Sequence, residues 1–173
     1  MPEKNDNLWA PWRMEYIHSL EGGPDEDGCF LCRYWSERDK DAENHVVWRT
    51  ERAMVVMNRF PYTNGHLLIS AAEHVPDLEG LDEASLMEMM RTKRDALRVL
   101  KETIRPHGFN VGINIARCAG AGLPDHIHIH VVPRWNGDTN YMAVISDVRV
   151  VPQSIETLHR QLTANASKLR LTP

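Results

Sequence analysis

The stretch His126-Ile127-His128-Ile129-His130-Val131-Val132-Pro133 decides how the rest of the chain is interpreted. Histidine alternates with β-branched apolar residues, and a period of two predicts a half-buried strand. The three imidazoles would share one face of that strand, with same-face neighbours about 7 Å apart. Histidine is also the side chain whose ordinary pKa lies closest to neutrality. We therefore interpret the row as nucleophile, ligand or phosphate-binding groups held on a rigid strand.

Composition limits the kind of protein this is. The chain has 173 residues, of which 42% are hydrophobic and 25% charged, the balance of one globular domain. A formal net charge of -4 gives no basis for general nucleic-acid binding. No apolar run approaches the roughly 20 residues of a membrane span, and the polar start at Met1–Asp6 does not resemble a signal peptide. We expect a cytoplasmic protein with neither a nucleic acid nor a membrane as partner.

Apolar periodicity predicts an α+β domain with a mainly antiparallel sheet. Asp82–Ile104 carries apolar residues at three- and four-residue steps, which predicts a long helix with Asp82 as its N-cap. A C-terminal helix is expected at 153–169, and another at 33–43. Strands are expected at 46–49, 53–57, 66–70, 109–115, 126–133 and 148–151. The apolar segment 8–17, broken by Pro11, predicts a short strand or turn before one helical turn.

A loop of small residues, Ala116–Asp125, comes directly before the histidine strand. Its glycines would let backbone N–H groups approach an anion closely. Alone, Gly-x-Gly indicates no more than a tight turn, but the loop and the strand together supply both halves of a phosphoryl site. A neutral imidazole can attack phosphorus and form a covalent intermediate, while neighbouring imidazoles and amides offset charge on the phosphoryl oxygens. The sequence contains no cluster of acidic residues that would indicate a magnesium site.

The segment Val56–Ile69, with its motif Asn-Arg-x-Pro-x-x-x-Gly-His, is followed by Asn114 and His126–Val132. Together these stretches resemble the histidine triad (HIT) superfamily of nucleotidyl hydrolases and transferases. Segments 8–14 and 130–142 are similar to the branch that contains bacterial diadenosine tetraphosphate phosphorylases. The resemblance implies one HIT-like domain with an N-terminal extension (1–28), a core (29–135) and a C-terminal extension (136–173). It also implies a homodimer in which two sheets of about five strands join.

The resemblance implies a role for each residue that matches the family motif. His128 would be the nucleophile that takes up the nucleotidyl group, His130 would contact the phosphate, and His66 would support the site from the adjoining strand. Asn58 would bind the ribose hydroxyls, and Asn114 would lie near the scissile phosphate or the leaving group. The phosphate pocket would be lined by Gly120, Ala121 and Gly122.

Cys29-Phe30-Leu31-Cys32 is a second motif, which in a reducing compartment indicates metal binding, redox chemistry or structural thiols. No thioredoxin-like βαβ pattern surrounds it, which disfavours redox chemistry. Some relatives, including galactose-1-phosphate uridylyltransferase, bind zinc with a Cys-x-x-Cys, a later histidine and the first histidine of the triad. The resemblance thus implies zinc on Cys29, Cys32, His74 and His126, with His45 as the alternative third ligand. Otherwise the thiols are merely buried and His126 donates to a backbone carbonyl. No organic cofactor is expected.

The leading hypothesis is an enzyme that cleaves a nucleoside-phosphate linkage through nucleotidyl-His128. With phosphate as acceptor it would be a diadenosine tetraphosphate phosphorylase that releases ATP and ADP. With water it would be a dinucleoside polyphosphate hydrolase or a phosphoramidase that releases AMP. One alternative is a nucleotide-binding regulatory protein with little turnover. Another is a structural metal module, which is disfavoured because same-face histidines spread over about 13 Å do not reach one metal. His18, His107 and His159 are expected at the surface or as capping residues.

Overall fold

A five-stranded sheet and three helices form the part of the chain that the computed structural model describes, residues 28–139, 151–169 and 171. The segment predicted at 8–17 lies outside it, as do His18 and residues 148–150 of the strand predicted at 148–151. Val151, the last residue of that predicted strand, is described and is not part of a strand. The helices are α1 (Phe30–Ser36), α2 (Glu83–Ile104) and α3 (Ile155–Lys168). The strands are β1 (Val46–Arg49), β2 (Ala53–Met57), β3 (Leu67–Ala71), β4 (Gly108–Ile113) and β5 (His128–Arg134). Short 3-10 turns lie at Arg38–Lys40 and Arg117–Ala119.

The sheet is antiparallel throughout, with the strand order β1-β2-β3-β5-β4. The histidine strand β5 therefore lies inside the sheet, between β3 and β4. Across β3, His128 is opposite Ser70 and His130 is opposite Leu68, while Gly112 of β4 is opposite His130 from the other side. The predicted class, α+β with a mainly antiparallel sheet, is confirmed.

The alternation of side chains along the strands creates two apolar layers. On one face of the sheet, apolar side chains such as Ile69 and Ile129 pack against α2 and α3. On the other face, Met54, Val56 and Leu68 pack against α1. Since directly opposite residues of an antiparallel pair share a face, His130 lies on the α1 side with Leu68. Burying each large apolar side chain of the core contributes about 1.5–3 kcal/mol, which holds β5 rigidly in place.

Helix α2 begins where the sequence predicted. The Asp82 carboxylate accepts a hydrogen bond from the backbone N–H of Ser85, which satisfies one of the unpaired amides at the helix start. The helix ends at Ile104, and Arg105 follows in the left-handed conformation with φ 47°. Pro106 comes next and cannot continue the helix. The predicted C-terminal helix is likewise confirmed as α3, capped by Ser154.

The helix expected at 33–43 is shorter than predicted and begins earlier. Helix α1 ends at Ser36, and Glu37 leaves helical geometry before the 3-10 turn. The cause is a tertiary contact: Arg49 of β1 donates to the carbonyls of Tyr34 and Trp35, at 2.6 and 3.5 Å, and pairs with Asp41. The guanidinium thus takes up the carbonyl groups at the end of α1 and fixes the helix against the sheet edge.

His159 contradicts the prediction of a surface or capping residue. It is buried, and its Nε2–H donates to the carbonyl of Val46 at 2.8 Å, tying α3 to the start of β1. His107 is exposed, as predicted, and accepts a hydrogen bond from the backbone of Asn136. Among the described helices, none combines the length and the apolar character that crossing a membrane requires.

Candidate active site and metal site

His128 is buried on β5, and its environment selects one form of the ring. Its Nδ1 lies 2.8 Å from the carbonyl oxygen of His126. A carbonyl only accepts, so Nδ1 carries the hydrogen and the neutral ring keeps its lone pair on Nε2. Burial lowers the pKa of His128, which keeps the ring neutral at pH 7. A neutral imidazole with its Nε2 lone pair exposed to a substrate is the nucleophilic form.

His66 and His130 form a second pair beside the nucleophile. His66 Nε2 lies 3.0 Å from His130 Nδ1, and the His130 ring meets the His128 ring at 4.9 Å between centroids. Burial lowers the pKa of His66 to about 3 and that of His130 to about 4, with the nearby imidazoles adding to the effect. The Tyr62 ring stacks on His66 at 4.8 Å. All three predicted catalytic histidines therefore meet as neutral rings on one face of the sheet.

Gly65 explains why the motif places glycine directly before His66. Its φ is +77°, which disfavours residues that have a Cβ. A Cβ at this position would lie 2.6 Å from Ile104 Cδ1 and 3.2 Å from Leu100 Cδ2. The backbone that leads into β3 thus lies close to the end of α2, and a larger residue would force the Ile104 side chain to shift. This contact sets the position of His66.

The small-residue loop before β5 folds upon itself. Asn114 Nδ2 donates to the carbonyl of Gly120 at 3.4 Å, and Gly120 adopts φ +87°. Ala121 is buried, and its N–H donates to the carbonyl of Ala116 at 3.4 Å. Ala116 itself has φ 65° and ψ 162°, a region that glycine prefers. The structure thus brings Asn114 and the predicted phosphate loop together between β4 and β5.

Asn58, the predicted ribose ligand, lies beside His66. Its Oδ1 accepts a hydrogen bond from the backbone N–H of Phe60 at 2.9 Å, and its Nδ2 lies 3.2 Å from His66 Nδ1. The side chain therefore belongs to the immediate surroundings of the histidine pair. Each amide atom retains one further hydrogen-bonding position.

The Cys-x-x-Cys of α1 lies against the first histidine of the triad. The Sγ of Cys29 is 3.2 Å from His126 Nδ1, and the Sγ of Cys32 is 3.2 Å from His74 Nδ1 and 3.4 Å from His126 Nδ1. All four ligand atoms lie within 4.8 Å of one another. Zinc bonds of about 2.3 Å to sulfur and about 2.0–2.1 Å to nitrogen give a tetrahedral S···N edge of roughly 3.5 Å. The four residues therefore fit a tetrahedral metal ion.

The hydrogen bonds of His126 agree with a ligand role. Its Nε2 lies 3.0 Å from the carbonyl of Ala71 and 3.0 Å from Ser70 Oγ. Nε2 therefore carries the hydrogen, and Nδ1 directs its lone pair at the thiols, the arrangement usual for metal-bound histidine. Burial, together with Cys29, raises the pKa of Cys32 to about 11 in the bare protein, whereas a metal ion would hold the thiolate.

His45 does not join this cluster. Its ring packs edge-on against His159 at 5.7 Å between centroids, and its buried Nδ1 has no hydrogen-bond partner within the described residues. The geometry favours His74 as the third ligand of the group.

The family model described as "HIT domain" matches residues 39–137, more than half of the chain. The chain belongs to the HIT family. It is 37% identical, over 158 residues, to the AP-4-A phosphorylase of Mycobacterium tuberculosis, which covers 90% of this chain and 81% of the relative. It is 28% identical over 95 residues to the asymmetrical bis(5'-nucleosyl)-tetraphosphatase of Schizosaccharomyces pombe, covering 55% of this chain and 52% of the relative.

A solved structure of a Zn-bound HIT protein has the same fold. The Zn-bound histidine triad family protein from Mycobacterium smegmatis superposes with a TM-score of 0.66 at 27% identity, over 81% of this chain and 94% of that one. The recognition of the HIT family from the histidine strand and the Asn-Arg-x-Pro-x-x-x-Gly-His motif is thereby confirmed, and so is the HIT-like fold.

Sequence reasoning missed three residues around the sites of this HIT domain. Ser70 touches His126, Tyr62 covers His66, and Arg49 anchors the helix that carries Cys32. Ser70 left a faint signal, because it is the one polar residue in the run Leu-Leu-Ile-Ser-Ala of β3. Tyr62 and Arg49 left none, since their partners are set by tertiary contacts.

Proposed function

We propose that this HIT protein is a nucleotidyl transferase of the diadenosine tetraphosphate phosphorylase type, acting through a covalent nucleotidyl-His128 intermediate. One observation carries the proposal: His128 Nδ1–H is held by the carbonyl of His126, which leaves Nε2 as a neutral nucleophile. The similarity to an AP-4-A phosphorylase supports phosphate as the acceptor. The coarser assignment, nucleotidyl transferase or hydrolase, has the support of family membership as well.

In the first step, His128 Nε2 attacks the α-phosphorus of the dinucleoside polyphosphate. A P–N bond forms, and the P–O bond to the rest of the substrate breaks, so that ATP leaves from diadenosine tetraphosphate. In the second step, an oxygen of inorganic phosphate attacks the same phosphorus. The P–N bond breaks, ADP leaves, and His128 regains its neutral form. In both steps the Nδ1–H of His128 keeps its hydrogen bond to the His126 carbonyl. This bond partly offsets the positive charge that the ring gains.

The surrounding residues would bind the nucleotide. His130 would donate to a phosphoryl oxygen, with His66 behind it. We place the ribose near Asn58 and the scissile phosphate near Asn114. The backbone of Gly120, Ala121 and Gly122 would meet the phosphates, because amides in such a loop form an anion-binding concavity.

A hydrolase is the second candidate function, because the asymmetrical tetraphosphatase of S. pombe is also a relative. The covalent step would be the same, and water would replace phosphate in the second step. The third possibility, a regulatory protein with little turnover, would retain nucleotide binding alone.

We propose zinc as the metal of the Cys29, Cys32, His74 and His126 cluster. When bound, zinc would supply a structural cross-link rather than a reactive group, since all four positions are taken by protein ligands. The cross-link would hold α1 to the start of β5. It would also fix His126, whose carbonyl orients the nucleophile.

The assembly and setting are proposals as well. We propose a cytoplasmic homodimer, with the domain core at 29–135 between two extensions. β4 is an outer strand of the described sheet, and Val111 on it is exposed, as are Met87 and Met90 of α2. A second copy placed against these residues would extend the sheet. Reduced thiols at Cys29 and Cys32, which zinc requires, fit a cytoplasmic setting.

The test is product analysis with diadenosine tetraphosphate in the presence and absence of inorganic phosphate. If ADP and ATP form only when phosphate is present, the phosphorylase assignment is supported. If AMP forms without phosphate, the hydrolase assignment replaces it. If the protein binds AMP but turns over no nucleotide, the assignment as an enzyme is wrong. His128→Gly should abolish turnover, and the exposed His107→Gln serves as the matched control.

A further inference from the structure

The direction of the hydrogen bonds around His66 follows from two backbone amides. The N–H of Phe60 can only donate, and it lies 2.9 Å from Asn58 Oδ1. This assigns the oxygen of the Asn58 amide, so the atom 3.2 Å from His66 Nδ1 is the donor Nδ2. The N–H of Tyr62 donates to the same Nδ1 at 3.2 Å. Two donors therefore converge on one nitrogen of His66.

A nitrogen that accepts from two donors cannot carry a hydrogen. Neutral His66 thus has its lone pair on Nδ1 and its hydrogen on Nε2. Nε2 lies 3.0 Å from His130 Nδ1, so His66 donates and His130 accepts. Neutral His130 must then carry its own hydrogen on Nε2, on the side of the ring away from His66. His66 is buried, with 1% of its surface exposed, so water does not supply alternative partners.

We propose that Asn58 is a positioning residue that sets the tautomer of His66 and, through it, makes His130 present an Nε2–H donor to the phosphoryl group. The inference rests on the proposed function for its substrate and gives Asn58 a role distinct from ribose binding. His128 has the opposite tautomer, with its lone pair on Nε2. The two neighbouring rings thus present unlike groups, a lone pair that attacks phosphorus and a hydrogen that binds its oxygen. The reverse tautomer of His130 would set a lone pair against the phosphoryl oxygens.

Asn58→Asp tests this with a change of almost no volume. One carboxylate oxygen still accepts from Phe60, while the other replaces the Nδ2 donor and can only accept. It therefore draws a hydrogen onto His66 Nδ1. His66 Nε2 then no longer directs a hydrogen at His130, and the His130 ring loses the constraint that keeps its hydrogen on Nε2.

The direct readout is the two-bond ¹H–¹⁵N spectrum of ¹⁵N-histidine-labelled, ligand-free protein, with His66→Gln and His130→Gln used to assign the signals. We expect Nε2–H on both rings in the wild type and a hydrogen on His66 Nδ1 in Asn58→Asp. A hydrogen on His66 Nδ1 in the wild type would overturn the proposal, and so would an unchanged pattern in Asn58→Asp. Because no substrate is present, these outcomes do not depend on whether the proposed function is right.

Kinetics separate the two roles of Asn58. Loss of a donor to the phosphoryl group lowers kcat by about 10²–10³-fold, whereas loss of a ribose contact alone raises KM and leaves kcat unchanged. We expect the fall in kcat for Asn58→Asp, and a change confined to KM would contradict the proposal. Asn64→Asp is the matched control. It adds the same charge to the same loop, but its Nδ2 contacts Gln153, at 3.5 Å, rather than a histidine. Its spectrum and kcat should stay near those of the wild type.

Discussion

Gly65→Ala adds one methyl group where the backbone before β3 meets the end of α2. The new Cβ would lie 2.6 Å from Ile104 Cδ1 and 3.2 Å from Leu100 Cδ2. Both atoms are ends of side chains in the tightly packed layer between the helices and the sheet. His66 follows directly in the chain, so any shift that relieves the clash also moves the histidine pair.

Two costs add up at this position. A residue with a Cβ in the left-handed region costs about 1–2 kcal/mol, and a forced repacking of side chains costs about 1–3 kcal/mol. We expect the free energy of unfolding to fall by about 2–5 kcal/mol. That is a large share of the roughly 5–15 kcal/mol that stabilises a typical domain.

Urea unfolding of Gly65→Ala, in the wild type and in the Ile104→Val background, measures both costs. Ile104→Val removes the Cδ1 atom nearest the new methyl group, so it relieves the clash and leaves the backbone cost in place. The alanine should then destabilise the protein less, by about 1 kcal/mol or more. A single variant within about 0.5 kcal/mol of the wild type, or equal costs in both backgrounds, would refute the reasoning.

Three further changes probe other parts of the molecule. Ala116→Gly should stabilise the protein by about 1 kcal/mol because it relieves the φ 65°, ψ 162° backbone, which urea unfolding would show as a higher midpoint. Ser70→Ala should weaken zinc binding about tenfold in a chelator competition, because His126 loses one of the two groups near its Nε2. An unchanged affinity for zinc would show that Ser70 does not support His126. Acid should destabilise the fold between pH 6.5 and 4, because the unfolded chain takes up protons there that His66 and His130, with folded pKa values of about 3 and 4, do not. For His66 alone the loss reaches about 1.4 kcal/mol at pH 5.5, and His66→Gln should lose correspondingly less than the wild type.

Local patterns were enough to predict most of the fold. The Asp82 cap, the apolar stripe of α2 and the alternation of the histidine strand depend on neighbours within a few residues. For this reason the long helix and the strands lie within one or two residues of their predicted ends. Helix α1 was harder, because Arg49 of a strand 15 residues later decides where it ends.

The candidate site shows the same division. The spacing of the histidines and the family motif predicted His66, His128 and His130 as site residues. The resemblance predicted the metal ligands around Cys29. Long-range contacts were beyond reach. His159 has no pattern that indicates its bond to Val46, which lies 113 residues away.

The tautomers were also beyond reach, because they depend on which backbone amides point at Asn58 and His66 in the folded chain.

The most direct test of the central claim is intact-protein mass spectrometry after rapid acid-free quenching with diadenosine tetraphosphate and no phosphate. We predict a mass increase of one AMP moiety, located on His128 by peptide analysis and discharged as ADP when phosphate is added. The adduct should be absent from His128→Gly and present in His107→Gln. Full turnover with no adduct, or an adduct on another residue, would contradict the assignment of His128 as the nucleophile.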